Sequence, residues 1–132
     1  FYAPEVLGGK RISRVCSQDD VLPSVSSLAG IAYTNTTMGI NLFDNRPKNY
    51  PTEDAAFVFD PTLKEIGIIT DSFVFKHNLL SNSRQAWGMI DGYPRPTVER
   101  EKEMDELATA WYQTAKYLLH NNQKNKVRVF NK

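Results

Sequence analysis

A long amphipathic segment near the C-terminus constrains the fold more than any other feature of the chain. Its apolar residues recur at three- and four-residue steps: Met104, Leu107, Ala108, Trp111, Ala115, Leu118 and Leu119. This spacing predicts one helix from Thr97 to about Asn121, with Thr97 as its N-cap. Three glutamates follow in the first turns, where the helix dipole favours negative charge: Glu99, Glu101 and Glu103. An apolar stripe of this kind has to cover a second layer of structure.

The second layer is predicted directly upstream, as a small antiparallel sheet. Three β-rich runs separated by short turn signals predict a meander: Ala55–Phe59, Glu65–Ile69 and Phe73–Lys76. Residues 60–64 are long enough for a hairpin loop, and Thr70–Asp71 could form a two-residue turn. Residues 87–90 are predicted as a fourth, edge strand, ended by Pro94 and Pro96. Residues 126–130 alternate like one more short strand or an adherent tail.

The N-terminal third predicts a short strand and a helix. Residues 1–4 read as the end of a buried strand, and residues 11–16 as a short strand or an extended link. Ser17 and Asp20 resemble a capping box, and Gly30 occupies a position that favours a helix C-terminus. Pro23 must lie in the first turn or kink the helix. The apolar residues between them share one helix face: Val21, Leu22, Val25, Leu28 and Ala29. Residues 32–54 are predicted as a surface connection with one short ordered piece at 38–42.

Composition excludes several classes of protein. With 132 residues, the chain suits one compact domain, and its predicted fold class is α+β. Sixteen basic and fifteen acidic residues give a net charge of +1, which offers no electrostatic case for nucleic acid or an anionic membrane. No apolar run approaches the length of a transmembrane helix. Cys16 is the single cysteine, so neither an internal disulfide nor a cysteine-based zinc site can form, and we expect it to be buried.

The residues on their own reveal no active site, and we assign no catalytic, cofactor-binding or metal-binding residue. His77 is expected at a strand end, solvated or hydrogen-bonded, and His120 in the last helical turn. No phosphate loop, dinucleotide motif or nucleophile elbow is present. The sequence gives no reason to pair any of the carboxylates Asp19, Asp20, Asp60, Asp71 and Asp91. Residues 35–37 match the N-glycosylation acceptor motif, a triplet that arises often by chance, and we assign no function to it. Trp111 is expected in the core, while Trp87 is a better candidate for surface contact, although packing is favoured for it too.

Two stretches carry a resemblance to a known family. Residues 17–31 resemble the late helix of sulfatase-like enzymes of the alkaline-phosphatase superfamily, matching its pattern at Asp20, Pro23, Ser24, Leu28, Gly30 and Ile31. Residues 37–42 resemble the Gly-x-x-Leu segment that follows, although Ile40-Asn41 stands where sulfatases often carry Arg-Ser. Residues 1–4 look like the strand that comes soon after the last metal-binding histidine. The β-rich runs and closing helix are similar to the C-terminal subdomain of lipoteichoic acid synthases and phosphoglycerol transferases.

The resemblance implies an α/β parent enzyme of which this chain is a C-terminal fragment. Residues 1–45 would form the late strand and helix of the main domain, and residues 46–132 the C-terminal subdomain. Family members transfer or hydrolyse phosphate or sulfate esters with a Thr or formylglycine nucleophile and divalent metal, here Mn, Mg, Ca or Zn. These catalytic groups would all precede Phe1. The phosphoglycerol-transferase branch is membrane-anchored, with its catalytic domain outside the cytoplasm.

Two further expectations concern partners. An opening inside an apolar run without an initiating Met is typical of a piece of a longer chain, whose remainder would be the main partner. Such a fragment would expose apolar side chains at Phe1, Tyr2, Val21 and Leu28, so we expect dimers or larger species on size exclusion. The alternative, from a different class, is a free-standing, non-catalytic module that binds a protein partner.

Overall fold

The structure is a computed structural model that describes residues 4–9, 11–32, 34–44 and 54–125. In these ranges the elements are a 3-10 turn (Gln18–Asp20), helix α1 (Val21–Leu28), strands β1 (Ala55–Asp60), β2 (Glu65–Thr70), β3 (Phe73–Asn78) and β4 (Arg84–Gly88), and helix α2 (Val98–Asn125). The predicted α+β class is confirmed, with a small antiparallel sheet followed by a long helix.

Helix α1 begins and ends as the sequence predicts. The Ser17–Asp20 capping box is present, and the backbone N–H of Ser17 donates to Asp20 Oδ2 at 2.7 Å. Pro23 lies in the first turn of α1, where its missing N–H costs no helical hydrogen bond. At the other end Gly30 has φ +64°, a left-handed conformation. Its N–H donates to Ser27 O and the N–H of Ile31 donates to Ser26 O, which together form a Schellman motif.

Neither of the two strands predicted in the N-terminal third, at residues 1–4 and 11–16, is present among the described residues. Residues 1–3 of the first predicted strand lie outside the described residues, and Pro4 lies in a turn. Residues 11–16 form a link without strand or helix. Between α1 and the sheet, residues 34–44 contain turns and bends but neither helix nor strand. The predicted strand or tail at 126–130 also lies outside the described residues.

The sheet is an antiparallel meander in the order β1-β2-β3-β4. Strand β1 pairs with β2 from Ala55↔Thr70 to Asp60↔Glu65, β2 pairs with β3, and β3 pairs with β4 from Phe73↔Gly88 to His77↔Arg84. In the loop after β1, Asp60 Oδ1 accepts the N–H groups of Thr62 (2.7 Å) and Leu63 (3.0 Å). This is how an aspartate stabilises a tight turn.

Two boundaries in the sheet differ from the prediction. The turn between β2 and β3 is residues 71–72 rather than 70–71, because Thr70 remains in the ladder and its hydroxyl donates to Phe73 O. The fourth strand is Arg84–Gly88 rather than 87–90. It starts earlier because Asn82 adopts φ +57° and turns the chain directly into the ladder. It ends earlier because Tyr93 N–H donates to Ile90 O, which closes a turn.

Helix α2 covers one face of the sheet and forms the core with it. The buried side chains are Ile66, Ile68, Phe75, Met104 and Ala108. Two ring contacts extend the interface toward β1: Phe57 with Trp111 at 6.2 Å between centroids, and Phe59 with Tyr112 at 5.5 Å. The predicted apolar stripe therefore covers the sheet, mainly through the N-terminal half of α2.

The start of α2 is confirmed and its end is later than predicted. Thr97 is the N-cap, because its hydroxyl accepts the N–H of Arg100 at 3.2 Å. The helix continues to Asn125, so His120 precedes the last turn instead of lying in it. No helix among the described residues is both long and apolar enough to cross a bilayer.

Candidate functional site

The two segments that carry the family resemblance, residues 17–31 and 37–42, contact each other. Asp20 is the centre of that contact: one carboxylate oxygen accepts the N–H of Ser17, and the other accepts the N–H of Ile40 at 2.7 Å. Only 6% of Asp20 is exposed. A buried carboxylate is costly unless its oxygens are hydrogen-bonded, so this geometry holds residue 40 against the start of α1.

Ser24 makes a second bridge one helical turn later. Its hydroxyl donates to the backbone carbonyl of Asp20 at 2.6 Å and accepts the N–H of Leu42 at 2.9 Å. The residue is completely buried. Asp20 and Ser24 therefore bind alternate backbone amides of the same segment, and we call these two residues with Ile40 and Leu42 the helix–loop clamp.

Gly39 lies beside the clamp at a position that accepts no side chain. A Cβ atom on it would come within 1.9 Å of the backbone oxygen of Asp19. The loop before it is held by its own polar groups: Asn35 Oδ1 accepts the N–H of Thr37 at 3.0 Å, and the Gly39 N–H donates to Thr37 Oγ1 at 3.1 Å. Asn35 Nδ2 donates to Gly39 O at 2.5 Å. The triplet that matches a glycosylation acceptor thus shapes this loop.

The clamp has a structural role in the described geometry. The Ser24 hydroxyl uses its proton on a backbone carbonyl, and no described histidine contacts it, so it lacks the base that activates a serine nucleophile. Both Asp20 oxygens accept backbone N–H groups. The chemistry available here is the positioning of one segment against another.

A second polar cluster joins the sheet to α2. His77 is buried near the end of β3, and its Nδ1 is 2.8 Å from Asp105 Oδ1, although the two atoms are not aligned as a hydrogen bond. Arg84 Nε donates to the other Asp105 oxygen at 2.6 Å, and Arg84 Nη1 donates to Asn82 O at 3.1 Å. One carboxylate on α2 thereby contacts both β3 and β4.

The other ring nitrogen of His77 is hydrogen-bonded to the loop between β3 and β4. His77 Nε2 lies 3.0 Å from Asn82 Oδ1. The expectation of a hydrogen-bonded His77 at a strand end is confirmed.

Sequence reasoning missed the partners of His77. Asp105, Arg84 and Asn82 come from α2, β4 and the β3–β4 loop, and only the strand register and the helix docking bring them together. Asn82 offered a partial signal, because asparagine in a turn tolerates the left-handed conformation it adopts here.

The other candidates remain apart. Cys16 is exposed, so the expectation that it is buried was wrong; residues 11–16 form a link and cover little of it. Of the carboxylates, Asp20 belongs to the clamp, Asp60 caps its loop, and the other three are exposed.

Trp111 packs on the core as expected. Trp87 is 41% exposed on the sheet face opposite α2, so packing, the favoured prediction, accounts for it only in part.

The described residues do not fit a metal centre. Within the described ranges, no three His, Cys, Asp or Glu side chains converge closely enough to hold an ion. The metal that the family resemblance implies would need ligands from elsewhere.

No protein-family model matches the chain, and a search of curated proteins gives no match.

Proposed function

We propose that the chain is the C-terminal part of a metal-dependent, sulfatase-like enzyme of the alkaline-phosphatase superfamily. The parent would be a phosphoglycerol or phosphoethanolamine transferase or a sulfatase, acting on phosphate or sulfate esters. Its nucleophile and metal ligands would precede Phe1, and this chain alone would be inactive. The parent would be anchored in a membrane with its catalytic domain outside the cytoplasm, as in the branch that the chain resembles most.

The helix–loop clamp is the observation that carries this proposal. The resemblance consists of two separate stretches, and Asp20 and Ser24 in the first bind backbone amides of the second. Gly39, at the start of the Gly-x-x-Leu pattern, is required by its contact with Asp19. The side chains that make these bonds, Asp20 and Ser24, and the position that accepts no side chain, Gly39, are all among the residues that match the family pattern, and this shared structural role supports the resemblance.

The burial of α1 gives a second line of support. Helix α1 buries Pro23, Ser24 and Ser26 against the clamp. Its apolar residues point outward, with 46% of Val21, 52% of Leu22 and 44% of Val25 exposed. A helix of a globular protein normally turns its apolar side to a core. The main domain of the proposed parent would cover this face.

These contacts suggest how the chain would be divided between the two domains of the parent. Helix α1 and residues 39–42 would belong to the main domain, and the sheet with α2 would form the subdomain beside it. The Arg14 Nε and Asp54 Oδ1 atoms, 4.0 Å apart, join the two parts at the start of β1. The boundary near residue 45 stays a prediction.

The deciding experiment is to sequence the native locus upstream of the Phe1 codon and to express the complete reading frame. We expect the frame to continue into Asp/His metal motifs and a Thr or Cys nucleophile. The full protein should then cleave a chromogenic phosphate or sulfate ester, lose activity with a chelator and regain it with Mn, Mg, Ca or Zn.

Two outcomes would overturn the proposal. One is a start codon directly before the Phe1 codon, which would favour the free-standing interaction module. The other is ester cleavage with a stoichiometric metal by the 132-residue chain itself.

A further inference from the structure

Strand β4 leaves one edge of the sheet open among the described residues. Hydrogen-bonded pairs alternate along an antiparallel ladder. Asn78 N–H donates to Ser83 O and Met89 N–H donates to Ser72 O, both at 2.9 Å, which fixes the alternation between β3 and β4. Gln85 and Trp87 therefore bond to β3. The backbone groups of Arg84, Ala86 and Gly88 face away from the sheet.

A groove runs along this edge. It has a volume of about 450 Å³ and is lined by four consecutive β4 residues, 84–87, together with Arg95 and Glu101. An added strand would lie about 4.8 Å from β4 and pair with its outward backbone groups. The groove thus has the shape and the hydrogen-bonding groups to accept an extended chain.

The edge has little of the usual protection against strand pairing. Proteins block exposed edges with charged side chains, above all lysine, and with proline or a bulge. Strand β4 contains no lysine or proline, and its register with β3 is continuous. Its one charged residue, Arg84, is paired with Asp105 on α2. Within β4 and just after it the chain exposes several large apolar side chains, which would favour association: Trp87, Met89, Ile90 and Tyr93.

We infer that the occupant of this edge is a second copy of the chain, paired antiparallel about a two-fold axis at Ala86. In this register Ala86 faces its own equivalent, Arg84 faces the partner's Gly88, and Gln85 faces the partner's Trp87. No like charges lie opposite each other, and the two tryptophans are diagonal neighbours within reach of aromatic side chains.

The charges that line the groove are compatible with a second copy. Arg95 and Glu101 line it with opposite charges, so together they present no net charge to an identical surface. The pairing is isologous and closes at two copies. It is independent of the proposed enzymatic function.

The opposite edge of the sheet is a less suitable site. Leu79 N–H donates to Lys64 O at 2.9 Å, and the resulting alternation directs the backbone of Ala55, Phe57 and Phe59 outward from β1. The N-terminal part of the chain approaches the start of β1 through the Arg14–Asp54 contact. In a two-fold pair about Phe57, Asp60 at the end of β1 would face the partner's Asp54, and like charges directly opposite are destabilising.

Amide exchange measured by NMR on the full chain at low and high concentration tests the inference. The amides of Ala86 and Gly88 should become protected as concentration rises, together with an increase in sedimentation coefficient. The amides of Gln85 and Trp87 should be protected throughout, because they bond to β3. Exchange at Ala86 that is independent of concentration would overturn the inference, and so would concentration-dependent protection at Phe57.

A pair of proline variants provides the matched comparison. Ala86→Pro removes the two central hydrogen bonds of the dimer without removing one to β3, and should raise the dimer dissociation constant about 30-fold. Ala55→Pro removes an outward-facing N–H from β1 in the same way and should leave the dimer dissociation constant unchanged. Equal effects of both variants, or no effect of Ala86→Pro, would contradict β4 pairing. Circular dichroism checks folding, and the exchange experiment on the unaltered chain decides the matter if Ala86→Pro unfolds.

Discussion

Replacing Ser24 by alanine should open the helix–loop clamp on one side only. The Ser24 hydroxyl is the acceptor for the Leu42 N–H at 2.9 Å and is completely buried. Alanine keeps the shape of α1 but leaves that N–H without its partner. An unsatisfied, partly buried donor costs about 1–3 kcal/mol. A loss of about 1–2 kcal/mol corresponds to a 5- to 30-fold increase in the population of the open loop. The amide of Ile40 should change less, because Asp20 still accepts it.

Hydrogen exchange resolved at single amides measures this directly. Ser27→Ala is the matched control, since Ser27 is on the same helix with an exposed side chain and gains the same helix propensity. The expected result is faster exchange at Leu42 in Ser24→Ala and unchanged exchange in Ser27→Ala. Unchanged exchange at Leu42 in Ser24→Ala would refute the role of the hydroxyl. Equal acceleration at Ile40 and Leu42 would show that the segment opens as one unit.

Three further substitutions test other parts of the structure. Gly39→Ala should break the clamp, because its Cβ would overlap the Asp19 oxygen, and exchange at both clamp amides should rise to that of an open loop. Met104→Ala should lower the free energy of unfolding by about 2–5 kcal/mol in a denaturant titration, whereas Met89→Ala, at an exposed site, should change it by less than about 0.5 kcal/mol. Asp105→Asn should cost about 1–3 kcal/mol by the same titration, because it leaves a buried histidine and an arginine without their shared carboxylate; a change below about 0.5 kcal/mol would contradict that role.

The elements that the sequence predicts well are those whose signals are local. The stripe of α2 repeats over many turns, and its N-cap follows from Thr97 alone. Gly30 ends α1 because the left-handed conformation it adopts costs glycine nothing. Strands β1 to β3 are β-rich runs separated by turn residues, so their pairing in a meander needs no long-range information.

The elements that the sequence does not predict depend on contacts between distant residues. A fourth strand was predicted at 87–90, but its bounds, Arg84–Gly88, are set by its ladder with β3. The Asp105 contact to His77 requires α2 to cross the sheet at one particular position, which periodicity does not specify. The clamp joins residues 18 to 20 positions apart through side-chain bonds to backbone amides. The spacing of Asp20 and Ser24 on one helix face was visible, but their acceptor role was not.

Helix α1 shows why amphipathicity alone does not give the direction of burial. We expected its apolar face to be exposed at Val21 and Leu28. The structure exposes Val21, Leu22 and Val25, leaves Leu28 half-buried, and buries Ser24 and Ser26. The clamp supplies the reason, because Asp20 and Ser24 hold the polar side of the helix against residues 40–42. If the clamp is fixed in this way in a longer protein, the exposed side is the only one available to a further layer. Covering the apolar side with a main domain would restore the usual pattern for a helix, with polar contacts made locally and apolar contacts made to a core.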